Sequence, residues 1–456
     1  MPTFHLLNFG CRANQADGAA LKLELLNAGF AEAEDPAQSD IAVLNTCTVT
    51  AAADAEVRQV IRRVHRVNSR CRVLVTGCYA QRAPEDLCQL DGVAWVVGNS
   101  HKHQLAEILK THFSSPEDRF PTPSLREKAE TDPHERELRT EAWVEAVGPE
   151  FHFLPVFPDD RTRPTLKVQD GCNARCSFCI IPAVRGRSRS LSPERVIPAV
   201  RQLEGNGYKE IVLSGINLGS YGRDLAPRSS FLELVERILA ETRIPRLRIS
   251  SIEPMDVSPE LIRLATSTPR VAEHWHVPLQ SGSNRILRQM NRRYWTAQYA
   301  ERILAIHEAL PNAGIGADVM TGFPGETNED HGASVRFIES LPFTYLHVFP
   351  FSPRPSTAAA ARADQLNGRI AHERGAALRA IVAEKRRSFL AAQVGRLVTA
   401  LTLNEPRAGE SVAMTSNYLN VVLPGAPMGS NQLIPIRVRC VDKDQLYGEI
   451  PKEHET

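Results

Sequence analysis

Apolar and polar positions in the first hundred residues fall into a repeating order. The runs FHLLNF (4–9), IAVLN (41–45), RVLVTG (72–77) and VAWVVGN (93–99) are short and continuously apolar. Runs of that length between turn residues predict buried strands. Between them, apolar positions recur at helical spacing in ADGAALKLELLNAG, ending at Gly29, in AAADAEVRQVIRRVHRV, and from His101 to Lys110. Strand–helix alternation of this kind predicts a parallel, doubly wound α/β sheet.

The order then breaks and resumes. Residues 114–150 are rich in Pro, Glu and Arg and poor in apolar periodicity, which predicts a solvated linker with some helix. From TLKVQDG onward, the runs EIVLSG, RLRISS, EHWHVPL, GIGADVMTG and YLHVFPF predict strands, with helical stretches such as SPERVIPAVRQLEGNG and FLELVERILAETR between them. About five or six such units predict a full or partial β/α barrel with its site at the carboxyl ends of the strands. A last helix, roughly Arg369 to Gln393, precedes four short strand candidates, RLVTALTL, YLNVVLP, LIPIRVRCV and LYGEI. They predict a small all-β barrel. The expected organisation is a sheet domain over 1–113, a linker over 114–158, a β/α barrel over 159–388 and a small β-barrel over 389–456.

Composition narrows the class. The 456 residues are 42% hydrophobic and 23% charged with net charge +1, so any nucleic-acid surface is a local patch rather than a global field. No apolar run approaches the roughly 18 residues of a membrane span. The start, MPTFHLLNFGCRAN, lacks a charged segment followed by a long apolar one, so no signal peptide is expected. These features predict a cytoplasmic protein with no membrane partner, whose nine cysteines serve as reduced thiols for metal.

Six of the nine cysteines form two sets of three. Cys172, Cys176 and Cys179 crowd one loop, GCNARCSFC, directly after a predicted strand. Cys11, Cys47 and Cys78 are distant in sequence, but each ends an apolar run, which puts all three just past the carboxyl ends of parallel strands. Open α/β sheets bind ligands along that edge. Three thiolates can hold a four-iron cluster and leave one iron open for chemistry. Two competing readings are three incidental buried thiols and, for the loop, zinc. A closed zinc site wants a fourth ligand, and His152 and His274 lie far from the loop in sequence.

The loop, with Phe178 before its last cysteine, resembles the radical S-adenosylmethionine superfamily. Together, GCRANQADG, LNTCTVT, VTGCYAQ, QDGCNARCSFCIIPAVRGRSRS, HVPLQSGS and TGFPGET resemble the methylthiotransferases over nearly the whole chain. The final barrel is similar to that family's TRAM domain. The resemblance implies two [4Fe-4S] clusters, one on Cys172, Cys176 and Cys179 that binds S-adenosyl-L-methionine, and an auxiliary one on Cys11, Cys47 and Cys78 that carries the inserted sulfur. Cys71, Cys88 and Cys440 match no ligand motif. It implies a sulfur-inserting transferase with an external electron donor and a sulfur donor as partners. Reductive cleavage of one S-adenosylmethionine would give the radical that breaks an unactivated C–H bond, and a second would methylate sulfur.

Further contacts are expected at strand ends. Ser214, Gly215 and Asn217 stand where the superfamily cradles the methionine amine, in what is otherwise a plain turn. Glu253 and Gln280 end apolar strands and are candidates for cofactor or substrate contact. Gly322, in GFPGE, could bring backbone close to adenine or ribose. Arg185, Arg187 and Arg189 suit the cofactor carboxylate, RNA phosphate or a solvated strand.

NTCTVT, VTGCYAQ, LSGINLGSYG and RISSIEP look like the subgroup acting on N6-threonylcarbamoyladenosine of tRNA, next to the anticodon. Isopentenyladenosine tRNA and a ribosomal-protein aspartate are the alternative substrates within the family. A non-catalytic iron–sulfur RNA-binding protein or electron carrier is the alternative outside it. For the tRNA anticodon loop, Arg58, Arg62, Arg63, Arg66, Arg70 and Arg72 offer a phosphate patch or a solvated helix face. Arg396, Arg437, Arg439 and Lys443 suit RNA recognition by a small barrel, where Tyr418 would stack on a base or fill the interior.

Overall fold

The computed structural model describes residues 1–113, 140–152, 161–404, 409–425 and 427–451. Of the linker expected over 114–158, residues 114–139 and 153–158 therefore lie outside the described residues. Internal contacts divide the chain into two units: Met1–Val156 with Ile180–Arg187, and Phe157–Cys179 with Ser188–Thr456.

The first unit is built on one parallel sheet. Its strands are β1 (Thr3–Asn8), β2 (Ala31–Glu32), β3 (Ile41–Thr46), β4 (Arg72–Gly77), β5 (Val93–Gly98) and β6 (Glu141–Trp143), in the order β2-β1-β3-β4-β5-β6. Alternate strand residues face opposite sides. Ala42, Leu44, Val73 and Val75 pack on Val57, Ile61 and Val64 of helix Ala51–Val67, forming one core. Phe4, Ile41, Val43 and Leu74 pack on Leu21 and Leu25 of helix Arg12–Asn27 and on Leu105 and Leu109, forming the other. The sheet is thus doubly wound. Strand order reverses between β1 and β3, the switch point where such sheets open a crevice. One element was not foreseen. Within the stretch read as linker, Glu141–Trp143 pairs with Trp95–Val97 as an edge strand. Three residues are too few to show a periodicity.

The second unit holds six parallel strands in two sheets. One is β7 (Thr165–Lys167), β10 (Glu210–Ser214) and β11 (Arg246–Ile249); the other is β12 (His274–His276), β13 (Gly314–Thr321) and β14 (Tyr345–Pro350). A bridge from Leu247 to Val271 joins them, and among the described residues no pairing joins β7 to β14. The barrel is the partial one of the two expected forms. A short hairpin, β8 (Gln169–Asp170) with β9 (Arg189–Ser190), flanks the cysteine loop on both sides in sequence.

The predicted last helix spans Gly368–Ala391. After it, β15 (Leu397–Thr402), β16 (Glu410–Thr415), β17 (Asn420–Pro424), β18 (Leu433–Asp442) and β19 (Gln445–Glu449) close a barrel in the order β15-β16-β17-β19-β18. Four of these were expected. β16 was not: five of its six residues are buried, so no polar alternation marks it.

Charge fixes this small barrel to the larger one. Glu210 is fully buried and takes Arg248 Nε at 2.7 Å and Arg246 NH1 at 3.4 Å. Burial pushes its carboxyl up, but Arg248, Arg163 and Arg246 outweigh that and hold it below the usual range. The same arginines donate outward to the small barrel. Arg246 reaches Thr399 O at 2.9 Å and Met414 O at 3.3 Å, and Arg248 reaches Ser416 O at 2.9 Å and Thr415 O at 3.1 Å. Tyr418 inserts alongside, its ring 4.3 Å from that of His274 and 5.3 Å from the Arg248 guanidinium. It packs on His274 and Arg248 rather than joining the barrel core. It is a docking plug, held at φ +69° in the β16–β17 turn.

Candidate functional site

Within the first unit, Cys11, Cys47 and Cys78 leave the carboxyl ends of β1, β3 and β4, which are neighbours in the sheet. Their approach is close enough to need a glycine. A Cβ on Gly10 would sit 2.5 Å from Cys47 Cβ and 2.7 Å from its Sγ, and Gly10 holds φ +85°. Asn14 ties the two loops together, donating to the carbonyls of Phe9 at 2.7 Å, Asn45 at 3.0 Å and Thr46 at 3.3 Å. Burial pushes the Cys47 thiol up to about 12, and the neighbouring Cys78 and Cys11 add to that push. The Cys11 thiol is also raised, by burial first and with Arg185 opposing. Cys11 is the solvent-facing member of the three, where water offsets part of the effect.

Two buried cations meet on Asp17, in the helix that Cys11 caps. Lys102 Nζ lies 3.1 Å from Asp17 Oδ2, and Arg185 NH2 lies 3.1 Å from the same oxygen. Cys11 also caps the 16-residue helix Arg12–Asn27, whose N-terminus favours negative charge. Three crowded thiols, a helix N-terminus and two cations suit an anionic metal group with thiolate ligands, such as a cluster.

The second unit presents Cys172, Cys176 and Cys179 on the loop after β8. Backbone bonds from Ser177 N to Met290 O and from Ala359 N to Ser177 O, at 3.0 and 2.8 Å, brace it. Donors face the sulfurs: Ala174 N lies 3.3 Å and Asn217 Nδ2 3.9 Å from Cys172 Sγ, and Arg292 NH1 lies 3.3 Å from Cys176 Sγ. N–H groups aimed at sulfur favour thiolate, so this donor set also fits a cluster.

A cleft of about 320 Å³ opens beside Cys176, within the roughly 300–1,000 Å³ usual for small-molecule sites. Asn217 and Glu253, both expected from sequence, line it together with Arg292, Tyr294, Arg223 and Asp256. Glu253 is paired with Arg292; burial pushes its carboxyl up and Arg292 draws it back. Ser214 is buried at the end of β10. Gly215 is needed for packing: a Cβ there would meet Gln169 Oε1 at 2.9 Å, and that oxygen accepts from Asn217 N at 2.7 Å. The turn is thereby anchored to the cysteine loop.

Other expected residues lie elsewhere. Gln280 and Gly322 are not among the lining residues. Gln280 holds φ +67° beside β13, bonding to Asp318 O and Met320 N. Gly322 admits Ala371, 2.4 Å from where its Cβ would be, so its role here is packing against the last helix. Arg185 has partners other than those expected: it is buried in the first unit on Asp17 and Asn14. Arg189 pairs with Asp170 at 3.5 Å. Arg292 and Lys102 were not singled out from the sequence. Each stands in a polar stretch that reads as solvated, and each finds its acidic partner 39 or 85 residues away, where no spacing rule reaches.

Comparison with known proteins agrees with this anatomy. Residues 3–98 match the family described as uncharacterized protein family UPF0004, and residues 166–338 match the radical SAM superfamily. The chain is 36% identical to the threonylcarbamoyladenosine tRNA methylthiotransferase MtaB of Aquifex aeolicus, covering 91% of this chain and 95% of that protein. It is 34% identical to the protein of the same name from Bacillus subtilis, over 95% and 93%. It is 31% identical to the tRNA-2-methylthio-N(6)-dimethylallyladenosine synthase of Pelotomaculum thermopropionicum, over 98% and 97%. Among solved structures, the radical S-adenosylmethionine methyltransferase TsrM from Kitasatospora setae superposes with TM-score 0.55 at 18% identity, covering 79% of this chain and 77% of that one, a likeness of fold.

Proposed function

This chain belongs to the radical S-adenosylmethionine methylthiotransferase family, and from that premise we propose that it converts N6-threonylcarbamoyladenosine at position 37 of tRNA to its 2-methylthio derivative. The observation that carries the reading is similarity along nearly the full length to two proteins named threonylcarbamoyladenosine tRNA methylthiotransferase, at 36% and 34% identity.

The cofactor chemistry would come from a cluster with S-adenosylmethionine on Cys172, Cys176 and Cys179, which supplies a radical able to break a C–H bond. The chain's own residues hold and orient. Arg292 and Asn217 donate toward the ligand sulfurs, and Glu253 is fixed by Arg292 at the cleft wall. The second trio, Cys11, Cys47 and Cys78, would hold the auxiliary cluster. An external electron donor and a sulfur donor complete the reaction.

A polar cluster on the barrel strands, outside the lining of the cleft itself, suits a polar N6 substituent. His276, Asp318 and His347 stand on one face of β12, β13 and β14. Each imidazole lies 3.2 Å from the Asp318 carboxylate, and Tyr345 OH lies 3.1 Å from His276 Nδ1. Their hydrogen bonds hold the Asp318 carboxyl well below the usual range against the push of burial, and its charge reaches Glu253. A threonylcarbamoyl group brings a hydroxyl and a carboxylate to such a cluster, whereas a dimethylallyl group would need an apolar one. The closed five-stranded barrel, with Arg439 and Lys443 exposed, suits the single-stranded anticodon loop.

Mass spectrometry of tRNA nucleosides tests this, in a bacterium lacking its own methylthiotransferases, with and without the chain. The expected product is 2-methylthio-N6-threonylcarbamoyladenosine, lost in both Cys47→Ala and Cys176→Ala. Only Cys47→Ala keeps reductive formation of 5′-deoxyadenosine. A 2-methylthio dimethylallyl product would instead support the second reading, which the 31% identity to the Pelotomaculum protein favours.

A further inference from the structure

Lys102 and Arg185 are each 1% exposed, as are Asp17 and Asn14. The two cations converge on the same two oxygens: Asp17 Oδ2, at 3.1 Å from each, and Asn14 Oδ1, at 3.4 Å from Lys102 Nζ and 3.1 Å from Arg185 NH2. Both positive groups hydrogen-bond the Asp17 carboxylate inside the first unit. Burying an ion costs several kcal/mol, so such a group gains from any anion placed nearby.

Their seat is the thiol trio. Asn14, whose carbonyl oxygen faces both cations, turns its amide nitrogen to the residues preceding Cys11 and Cys47. Arg185 ends the helix Ile181–Arg185, and Ile180 and Val184 pack directly on Cys78. Asn99, three residues before Lys102, donates to Val184 O at 2.8 Å and stands 3.6 Å from Cys78 Sγ. All three cysteine-bearing loops therefore touch the elements that carry or seat the cations.

We propose that Lys102 and Arg185 are the counter-charge for the metal group held by Cys11, Cys47 and Cys78, favouring added negative charge there, as an electron or as a bound hydrosulfide anion. This rests on reading the trio as cluster ligands. An electron from an external reductant, or a hydrosulfide anion bound to the metal group, would raise the negative charge beside the pair. Fixed cations stabilise that change without reorganising. The two are positioning residues. The competing role is a staple that only ties the helix Arg12–Asn27 to the loop around Lys102 and to Ile181–Arg185.

Sign separates the two roles. The full-length protein carries Cys172→Ala, Cys176→Ala and Cys179→Ala so that one cluster remains. It is then titrated anaerobically with dithionite, and separately with sodium hydrosulfide, under electron paramagnetic resonance. In that background Lys102→Met disfavours one-electron reduction about tenfold, a midpoint about 59 mV lower, and weakens hydrosulfide binding about tenfold. Asp17→Asn, which removes the shared negative charge, shifts both the other way, and Lys102→Arg changes neither. Shifts in the same direction for Lys102→Met and Asp17→Asn, or no shift in either with four irons bound, overturn the proposal. If Lys102→Met does not load, a rise in potential in Asp17→Asn sustains it and a fall or no change refutes it. Loss of the cluster from both is the staple's behaviour and also refutes it. Failure of the underlying reading looks different: the background protein itself would bind no four-iron cluster.

Discussion

Replacing Arg248 with methionine should loosen the small barrel from the larger one. Arg248 is fully buried and makes four bonds: two to Glu210, at 2.7 and 3.3 Å, and one each to Ser416 O and Thr415 O. Breaking a buried pair from one side costs about 3–5 kcal/mol, because the abandoned charge stays buried. Here Arg246 and Arg163 remain within 3.4 and 3.5 Å of Glu210, which places the cost toward the lower end. Two orphaned carbonyls add about 1 kcal/mol each. Roughly 5 kcal/mol in all corresponds to more than a thousandfold in local opening, at 1.4 kcal/mol per tenfold. Because a chain of two units need not unfold in one step, the assay is hydrogen exchange of individual strands rather than a global melt. Amides of β15 and β16 should lose protection by about three orders of magnitude, while β1, β3 and β4 keep theirs. A Glu210→Met, Arg248→Met double variant should recover little of the loss, since Arg246 and Arg163 then lose their shared carboxylate. Protection within threefold of the parent in Arg248→Met would refute the claim that this charge centre docks the barrel.

Two further outcomes follow from local geometry. Gly10→Ala forces a methyl group to within 2.5 Å of Cys47 Cβ at a positive φ, so the chain should lose about half its bound iron with Cys172–Cys179 still loaded, read by iron content and by retained 5′-deoxyadenosine formation; full iron loading would contradict it. Glu24, on helix Arg12–Asn27, has its carboxyl raised by burial to about 7 from 4.5, so its contribution to stability is complete below pH 4.5 and is lost as pH rises through 7. Its partial exposure discounts the effect to about 1–2 kcal/mol, so Glu24→Gln should raise the denaturation midpoint of the first unit at pH 8 and leave it unchanged at pH 4.5; equal gains at both pH values would rule out the titration as cause.

Much of the architecture was legible because strands in parallel sheets announce themselves as unbroken apolar runs. IAVLN and RVLVTG gave β3 and β4 to within a residue, and the cysteine after each run located three thiols on one edge. The loop of three cysteines was legible through local spacing alone. What stayed hidden is what depends on distance. Glu253–Arg292, Asp17–Lys102 and Glu210–Arg248 join residues 39, 85 and 38 positions apart. A charged side chain seeking a remote partner looks in sequence like one seeking water. Tyr418 failed in the same way: an aromatic ring in a turn gives no sign of the histidine on which it will rest. Gly322 is the converse, since its neighbour Ala371 comes from a helix 49 residues on and the motif around it gave no hint of that packing.

The path of the chain has a consequence for anyone who would divide it. The first unit is not a continuous stretch: it takes back Ile180–Arg187 after the chain has passed through Phe157–Cys179. A fragment ending near residue 152 would lack Ile180 and Val184 over Cys78 and the guanidinium beside Asp17. Such a fragment would be a sheet with part of its cover missing, so the N-terminal region cannot be transplanted by a single cut. Recombination at the obvious domain junction would carry the cysteines and leave behind the eight residues that shelter one of them.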